Sequence, residues 1–316
     1  MIRIRSIVKG IAGLAAVLIV FATAAGAYAG NLAYNEFREA PWDQILGIRN
    51  NSRHVAPIRV MEKERGWEAV RVNAPDGTIL RGTYIASASH SHKTVILLHG
   101  LYQNRSMCLG YVPIYQNLGY NILLIDQRGH GESEGEHTDW GLSEMEDMDM
   151  WMQWLRHRDS QAVVGLHGIS LGAAMALLYA GSDRQQAAFV IADSSYGNII
   201  SMGREKLLDW TGDKNLVLGY DLLDPFFQAA MLVHTHKMVS SIEPAHAVRF
   251  IKVPVLFLHG SDDTLVPVKT AQSLYDQCGS GHKYLHVFQD SPHAAAIETD
   301  RREYMRTVTN FLEENV

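Results

Sequence analysis

Short apolar runs alternate along most of the chain with longer amphipathic stretches, and this rhythm sets the expected elements. Residues 68–73 and 78–85 alternate apolar and polar positions around Pro75-Asp76-Gly77, which predicts two antiparallel strands joined by a tight turn. Continuous apolar runs at 93–98 (K-T-V-I-L-L), 121–126 (N-I-L-L-I-D), 162–166, 187–192 and 253–258 (V-P-V-L-F-L) read as buried strands, with a last strand at 283–288. Helical patterns fall between them at 106–117, 173–180 and 268–278, and a closing helix spans 297–314. A further helix follows Ser143, with Met145, Met148, Trp151, Met152 and Leu155 on one face; Ser143 and Glu146 have the spacing of a capping box. A methionine-and-tryptophan stripe of this kind reads as core packing against a sheet rather than as a ligand surface. Strands and helices in this alternation predict an α/β fold, a mostly parallel eight-stranded sheet with helices on both faces.

Two segments break the rhythm. Residues 1–10 are basic through Arg3, Arg5 and Lys9, and residues 11–29 then run without a charge. As a helix rising 1.5 Å per residue, that run is roughly 28 Å long, close to the hydrocarbon thickness of a bilayer. It is either an uncleaved transmembrane anchor over 11–30 or a signal peptide cut at Ala27-Tyr28-Ala29; its length favours the anchor. Both readings place the remainder outside the cytoplasm, at the membrane surface or secreted, with the basic residues inside. Residues 31–66 follow as a juxtamembrane connection whose mixed charges (Arg53, Arg59, Glu62, Lys63, Glu64, Arg65) read as a solvated face. The second break, about 197–250 inside the main domain of 67–316, is rich in large apolar residues, among them Trp210, Tyr220, Phe226, Phe227 and Met231. It lies between two sheet strands and reads as a small helical cap that shapes an apolar pocket.

Composition narrows the classes. The chain has 316 residues, 47% hydrophobic and 20% charged, which is globular rather than disordered. A formal net charge of −6 argues against a nucleic-acid partner. Two cysteines, Cys108 and Cys278, leave room for one bridge and no disulfide framework. No C-x-x-C or H-E-x-x-H pattern demands a metal, and no cofactor is expected.

The candidate chemistry centres on Gly168-Ile169-Ser170-Leu171-Gly172, a G-x-S-x-G set between an apolar strand and a small-residue helix. The chain must turn sharply there, which glycines permit, and the serine hydroxyl is presented at the tip. A serine needs a base, usually histidine, and the base needs a carboxylate to fix its tautomer. Strand-end motifs supply both: His99-Gly100, Asp126-x-Arg128-Gly129-x-Gly131-x-Ser133, and His259-Gly260-x-x-Asp263-x-x-Val266-Pro267, with His293 just before the closing helix. In that order these motifs resemble the α/β-hydrolase superfamily over roughly residues 67–314, and more narrowly its bacterial serine-aminopeptidase-like branch, including membrane-anchored members of unassigned substrate.

The resemblance implies an α/β-hydrolase fold, Ser170 as nucleophile, Asp263 as the acid and His293 as the base. The backbone N–H groups of Leu101 and Leu171 would form the oxyanion hole. Asp193, at the end of the strand after the elbow, competes for the acid role. His130 sits in a turn that is usually structural in this family; His282 and His286 read as surface or packing residues, and His234-x-His236 as a weak metal pair. Ser291-Pro292 before His293 departs from the glycine of many relatives and stiffens the loop. The expected function is a serine hydrolase acting on an ester or thioester with an apolar, lipid-like acyl group. Peptide hydrolysis is the second chemistry, and a non-catalytic exported binding protein on the same fold is the alternative of another class.

Overall fold

The structure, a computed structural model, describes residues 2–184 and 186–316. The side chains of residues 2–12 and of Trp210 lie outside the described residues, and with them the expectations for Arg3, Arg5, Lys9 and Trp210. The strands are Glu68–Asn73 (β1), Ile79–Ile85 (β2), Lys93–Leu98 (β3), Asn121–Ile125 (β4), Val163–Ile169 (β5), Val190–Asp193 (β6), Val255–Gly260 (β7) and Lys283–Phe288 (β8). They form one eight-stranded sheet in the order β1-β2-β4-β3-β5-β6-β7-β8. From β4 to β8 every neighbouring pair is parallel. β2 is antiparallel to both β1 and β4, so it alone runs against the sheet. The turn between β1 and β2 forms as expected, with Gly77 at φ 89° and the Asp76 carboxylate accepting the Thr78 N–H at 3.0 Å.

The helices are Ile2–Glu39 (α1), Trp42–Leu46 (α2), Ala56–Arg65 (α3), Val112–Asn117 (α4), Glu144–Arg158 (α5), Leu171–Gly181 (α6), Ile199–Thr211 (α7), Lys214–Thr235 (α8), Pro244–Ala247 (α9), Val268–Gln277 (α10), Ala296–Thr299 (α11) and Arg301–Asn315 (α12). The helix expected at 106–117 is split into a 3-10 turn over Arg105–Gly110 and α4, because Pro113 can only enter a helix at its first turn. The capping box at Ser143 does not form. The Ser143 hydroxyl donates to Asp139 at 2.7 Å instead, and the Glu144 carboxylate gathers the Thr138 hydroxyl and the N–H groups of Asp139 and Gly141. The apolar stripe of α5 is buried as its periodicity predicts: Met145, Met148, Trp151, Met152 and Leu155 are all covered.

The chain divides into two compact units, one of Pro41–Gly203 with Ser240–Val316, the other of the residues through Ala40 with Arg204–Val239. In the first unit, residues 41–66 are more than a connection. Ile58 is fully buried, Arg53 donates to the Gly131 carbonyl at 2.8 Å, and Glu62 accepts from the Thr83 hydroxyl at 2.5 Å. The core of this unit lies between the sheet and its helices, with Val95, Leu97, Ile122, Leu124 and Ile191 from the strands meeting Tyr115, Val308 and Phe311. The second unit joins α8 to α1 rather than standing as an insertion alone. Phe226 lies against Gly26 and Gly30, and the Tyr34 ring stacks on His234 with centroids 4.8 Å apart.

Candidate active site

Ser170 stands between β5 and α6 at φ 54° and ψ −111°, a conformation that side chains avoid. Two contacts hold it there: its N–H donates to the Asp193 carbonyl at 2.8 Å, and its carbonyl accepts from the Ala174 N–H at 3.0 Å. The flanking glycines are required by space. A Cβ on Gly168 would lie 2.0 Å from the Gly172 carbonyl oxygen, and one on Gly172 would lie 2.2 Å from the Leu98 carbonyl oxygen. Strand and helix therefore approach at backbone contact, and the serine hydroxyl is left at the apex.

Three residues from separate segments meet there. His293 Nε2 lies 2.8 Å from Ser170 Oγ, and His293 Nδ1 lies 2.7 Å from Asp263 Oδ2. With Asp263 ionised, Nδ1–H donates to the carboxylate and Nε2 is left to accept the serine hydroxyl. The other Asp263 oxygen accepts the N–H groups of Leu265 at 3.0 Å and Val266 at 2.7 Å. Burial pushes the Asp263 carboxyl up, but hydrogen bonds from His259, His293 and the Val266 backbone outweigh it and hold the group well below the usual carboxylate range.

His259, quoted above only as part of the strand-end motif, is a further ring at this carboxylate. Its Nε2 lies 3.2 Å from Asp263 Oδ2 and 2.7 Å from the Val266 carbonyl. Burial opposes its charge, yet the Asp263 hydrogen bond raises its pKa overall. The signal was in the H-G-x-x-D spacing, which puts a histidine at the strand end four residues before the acid. Ser194 is a residue that sequence reasoning passed over. It accepts the Ala294 N–H at 3.2 Å and donates to Asp193 at 2.9 Å, tying the residue after His293 to the end of β6.

The competing candidates have other partners. Asp193 is fully buried and accepts the Tyr304 hydroxyl at 2.8 Å; it does not meet the His293 ring. His130 accepts the Tyr102 N–H at 3.0 Å and lies opposite the Arg128 carbonyl at 2.8 Å. Burial pushes its pKa down to about 3, and that of His99 down to about 4. The turn around it is structural: the Asp126 carboxylate accepts the N–H groups of Arg105 at 2.8 Å and Glu132 at 2.9 Å, and Gly131 packs so close that a Cβ would strike that carboxylate. His286 pairs with Glu303 at 3.3 Å and His282 is exposed. His234 lies 2.5 Å from the Asn31 side-chain oxygen, and His236 closes α8 at φ 56°. Cys108 and Cys278 are buried free thiols.

A cavity of about 410 Å³ opens over Ser170 and His293, walled by Ile48, Met107, Trp140, Tyr196, Met202 and Leu265 among others. Leu101 and Leu171 both line it. The Leu171 N–H opens α6, where first-turn amides have no partner within the helix. Arg49 is the one formally charged side chain on this wall, and no carboxylate lines it among the described residues.

A strained serine at a strand–helix elbow, on a sheet of this order with acid and histidine on later strand-end loops, is the arrangement of an α/β-hydrolase. The chain belongs to the prolyl oligopeptidase family, whose sequence pattern matches residues 110–316. It is similar to YqkD, an uncharacterized protein of Bacillus subtilis, 30% identical over 239 residues that make up 75% of this chain and 76% of that protein. It is also similar to the lysophosphatidylserine lipase ABHD12 of Danio rerio, 28% identical over 63% of this chain and 52% of that protein. Among solved structures, the Pyrococcus furiosus esterase Pf2001 superposes with a TM-score of 0.63 and 25% identity, covering 80% of this chain and 95% of that one. The protein is thus a hydrolase-fold member with esterase and lipase relatives.

Proposed function

We propose that this protein is a serine hydrolase that cleaves a carboxylic ester or thioester with an apolar acyl group. The observation that carries the reading is the pair of contacts from Ser170 Oγ to His293 Nε2 at 2.8 Å and from His293 Nδ1 to Asp263 at 2.7 Å, set under an apolar cavity. Ser170 Oγ attacks the acyl carbonyl while His293 Nε2 takes its proton. Asp263 orients the ring and stabilises the imidazolium. The Leu101 and Leu171 N–H groups face the developing oxyanion. His293 then returns its proton to the departing alcohol or thiol oxygen or sulfur. Water, deprotonated by the same nitrogen, attacks the acyl carbonyl, and His293 passes that proton to Ser170 Oγ as the acid leaves.

Peptide hydrolysis is favoured by the family name and by the aminopeptidase-like resemblance of the motifs. An aminopeptidase must hold a substrate ammonium, and the cavity wall offers Arg49 and no carboxylate among the described residues. Ester chemistry therefore ranks first. The apolar run of α1 supports a tether at the membrane with the catalytic unit outside the cytoplasm.

A fluorophosphonate probe tests the nucleophile: folded wild type is labelled and Ser170→Ala is not. Unlabelled wild-type protein of native fold returns the chain to the binding-protein reading. A series of p-nitrophenyl esters of increasing acyl length, run beside aminoacyl substrates, tests the substrate class. Faster turnover of aminoacyl amides than of any ester would overturn the ester reading.

A further inference from the structure

The helix α8 is apolar on two opposite faces. One is covered within its own compact unit, where Val217, Phe227 and Met231 are buried. The other consists of Leu218, Leu222, Pro225, Ala229 and Leu232, and all five are exposed. Their spacing of four, three, four and three residues keeps them in one stripe along the helix. The exposure is large: 56% for Leu218, 66% for Leu222, 44% for Leu232 and 71% for the adjoining Val233. Asp221, Asp224 and Gln228 occupy the flank between the two faces. A water-facing surface would carry charge where this stripe carries leucine.

What covers the stripe follows from the helix beside it. In α1 the run from Leu14 to Phe21 is exposed all round, from 60% at Leu18 to 75% at Phe21, and a helix apolar on every side is suited to lipid. α8 joins α1 through Gly26 and Gly30, one turn apart. A Cβ on Gly26 would lie 2.3 Å from the Phe226 ring, and one on Gly30 would lie 2.5 Å from the Phe226 backbone. Small residues four apart that let a second backbone approach this closely are the means by which helices associate in lipid, where apolar burial gives no drive. Past this seat along α1, polar groups join the aromatic contacts, with Phe37 edge-on to Phe227 at 5.4 Å and Asn31 against His234 at 2.5 Å. That gradation is the one found from hydrocarbon to headgroups.

We propose that α8 is a second membrane element, lying in the bilayer interface with its Leu218–Leu232 stripe toward the acyl chains and held to the α1 anchor by the Gly26–Gly30 seat. It lies in the interface and does not cross. The preceding helix α7 has 13 residues and carries Arg204, Glu205, Lys206 and Asp209, too short and too polar to bring the chain back through hydrocarbon. The inference rests on reading α1 as an uncleaved anchor. Cleavage after Ala29 would remove Gly26 and half of the seat.

The test uses the full chain reconstituted in phosphatidylcholine vesicles. An environment-sensitive fluorophore is attached to Leu222→Cys, to Val233→Cys, to Asp213→Cys as the polar reference and to Val17→Cys as the anchor control. The quencher is a nitroxide carried on the acyl chains. Both native cysteines are buried, which leaves the introduced thiol as the reactive one. Probes at 222 and 233 are expected to be blue-shifted and quenched, and the probe at 213 is not. Gly30→Leu, which leaves the active-site residues untouched, should cut quenching at 222 by about half while Val17 stays quenched. Probes at 222 and 233 that match the reference at 213 overturn the proposal. In that case a quenched Val17 places the failure in α8 alone, and an unquenched Val17 places it in the anchor reading. Unchanged quenching at 222 in Gly30→Leu overturns the seat.

Discussion

The backbone at Ser170 is held in a disfavoured region by the Asp193 carbonyl and the start of α6. The hydroxyl is therefore positioned before any substrate arrives, and its loss should be costly. Ser170→Ala and His293→Ala are each expected to lower kcat/KM on the best ester by roughly 10⁴-fold or more, and the double variant little further, because the pair acts as a unit. Asp263→Asn should lose somewhat less. It is also expected to lose far more than Asp193→Asn, whose carboxylate serves Tyr304 and Ser194 instead of the histidine. Equal losses from the two asparagine variants would show that His293 takes its orientation from elsewhere. At this scale the sequence was informative for residues whose neighbours in the chain form a motif. Ser170 and Asp263 lie in such settings, and His293 is marked only by its place just before the closing helix. Ser194 does not, and its bond to Ala294 exists only because β6 ends beside the His293 loop.

Elements are placed by how closely their backbones come together. β5 and α6 meet at a separation that excludes even a methyl group, so Gly168→Ala must displace the elbow or unfold it. The expected outcome is loss of fluorophosphonate labelling with destabilisation of about 3 kcal/mol or more, read by denaturant unfolding. Gly110→Ala, where a Cβ meets nothing within 4 Å, is the matched control and should leave both readouts close to wild type. The strands, the turn at Gly77 and the buried stripe of α5 were legible because each follows from a local period. The cap of α5 was not. Ser143 has the capping-box spacing, but Asp139 accepts its hydroxyl and Glu144 takes the donors of the preceding loop. Spacing offers a capping bond, and the loop geometry before the helix decides whether a better partner is present.

At the scale of the molecule, His99, His130 and His167 are buried and held neutral by that burial. Burial lowers His99 to about 4 and His130 and His167 to about 3, from an ordinary value of 6.5. Their contribution to stability is present in full above about pH 6.5 and is lost as pH falls toward the folded values, since only the unfolded chain takes up the protons. At pH 5 each would cost on the order of 2 kcal/mol. The midpoint of thermal unfolding is therefore expected to drop steeply between pH 7 and pH 5. His167→Phe, which removes one such site, should flatten that slope even if it lowers the midpoint at pH 7. A slope identical to wild type would mean that His167 is protonated in the native state.

The sequence by itself determined the alternation of strands and helices, the elbow, the order of the strand-end motifs and the apolar run of α1. Each of these is encoded by residues near one another in the chain, through a period, a glycine pair or an unbroken hydrophobic stretch. Tertiary structure decided the rest. It made β2, and not β1, the strand that runs against the sheet, brought His259 to the carboxylate of Asp263, assigned Asp193 to Tyr304, and joined residues 204–239 to α1. Those outcomes depend on which distant backbones can approach one another, and that is fixed by the space left between elements once they have packed.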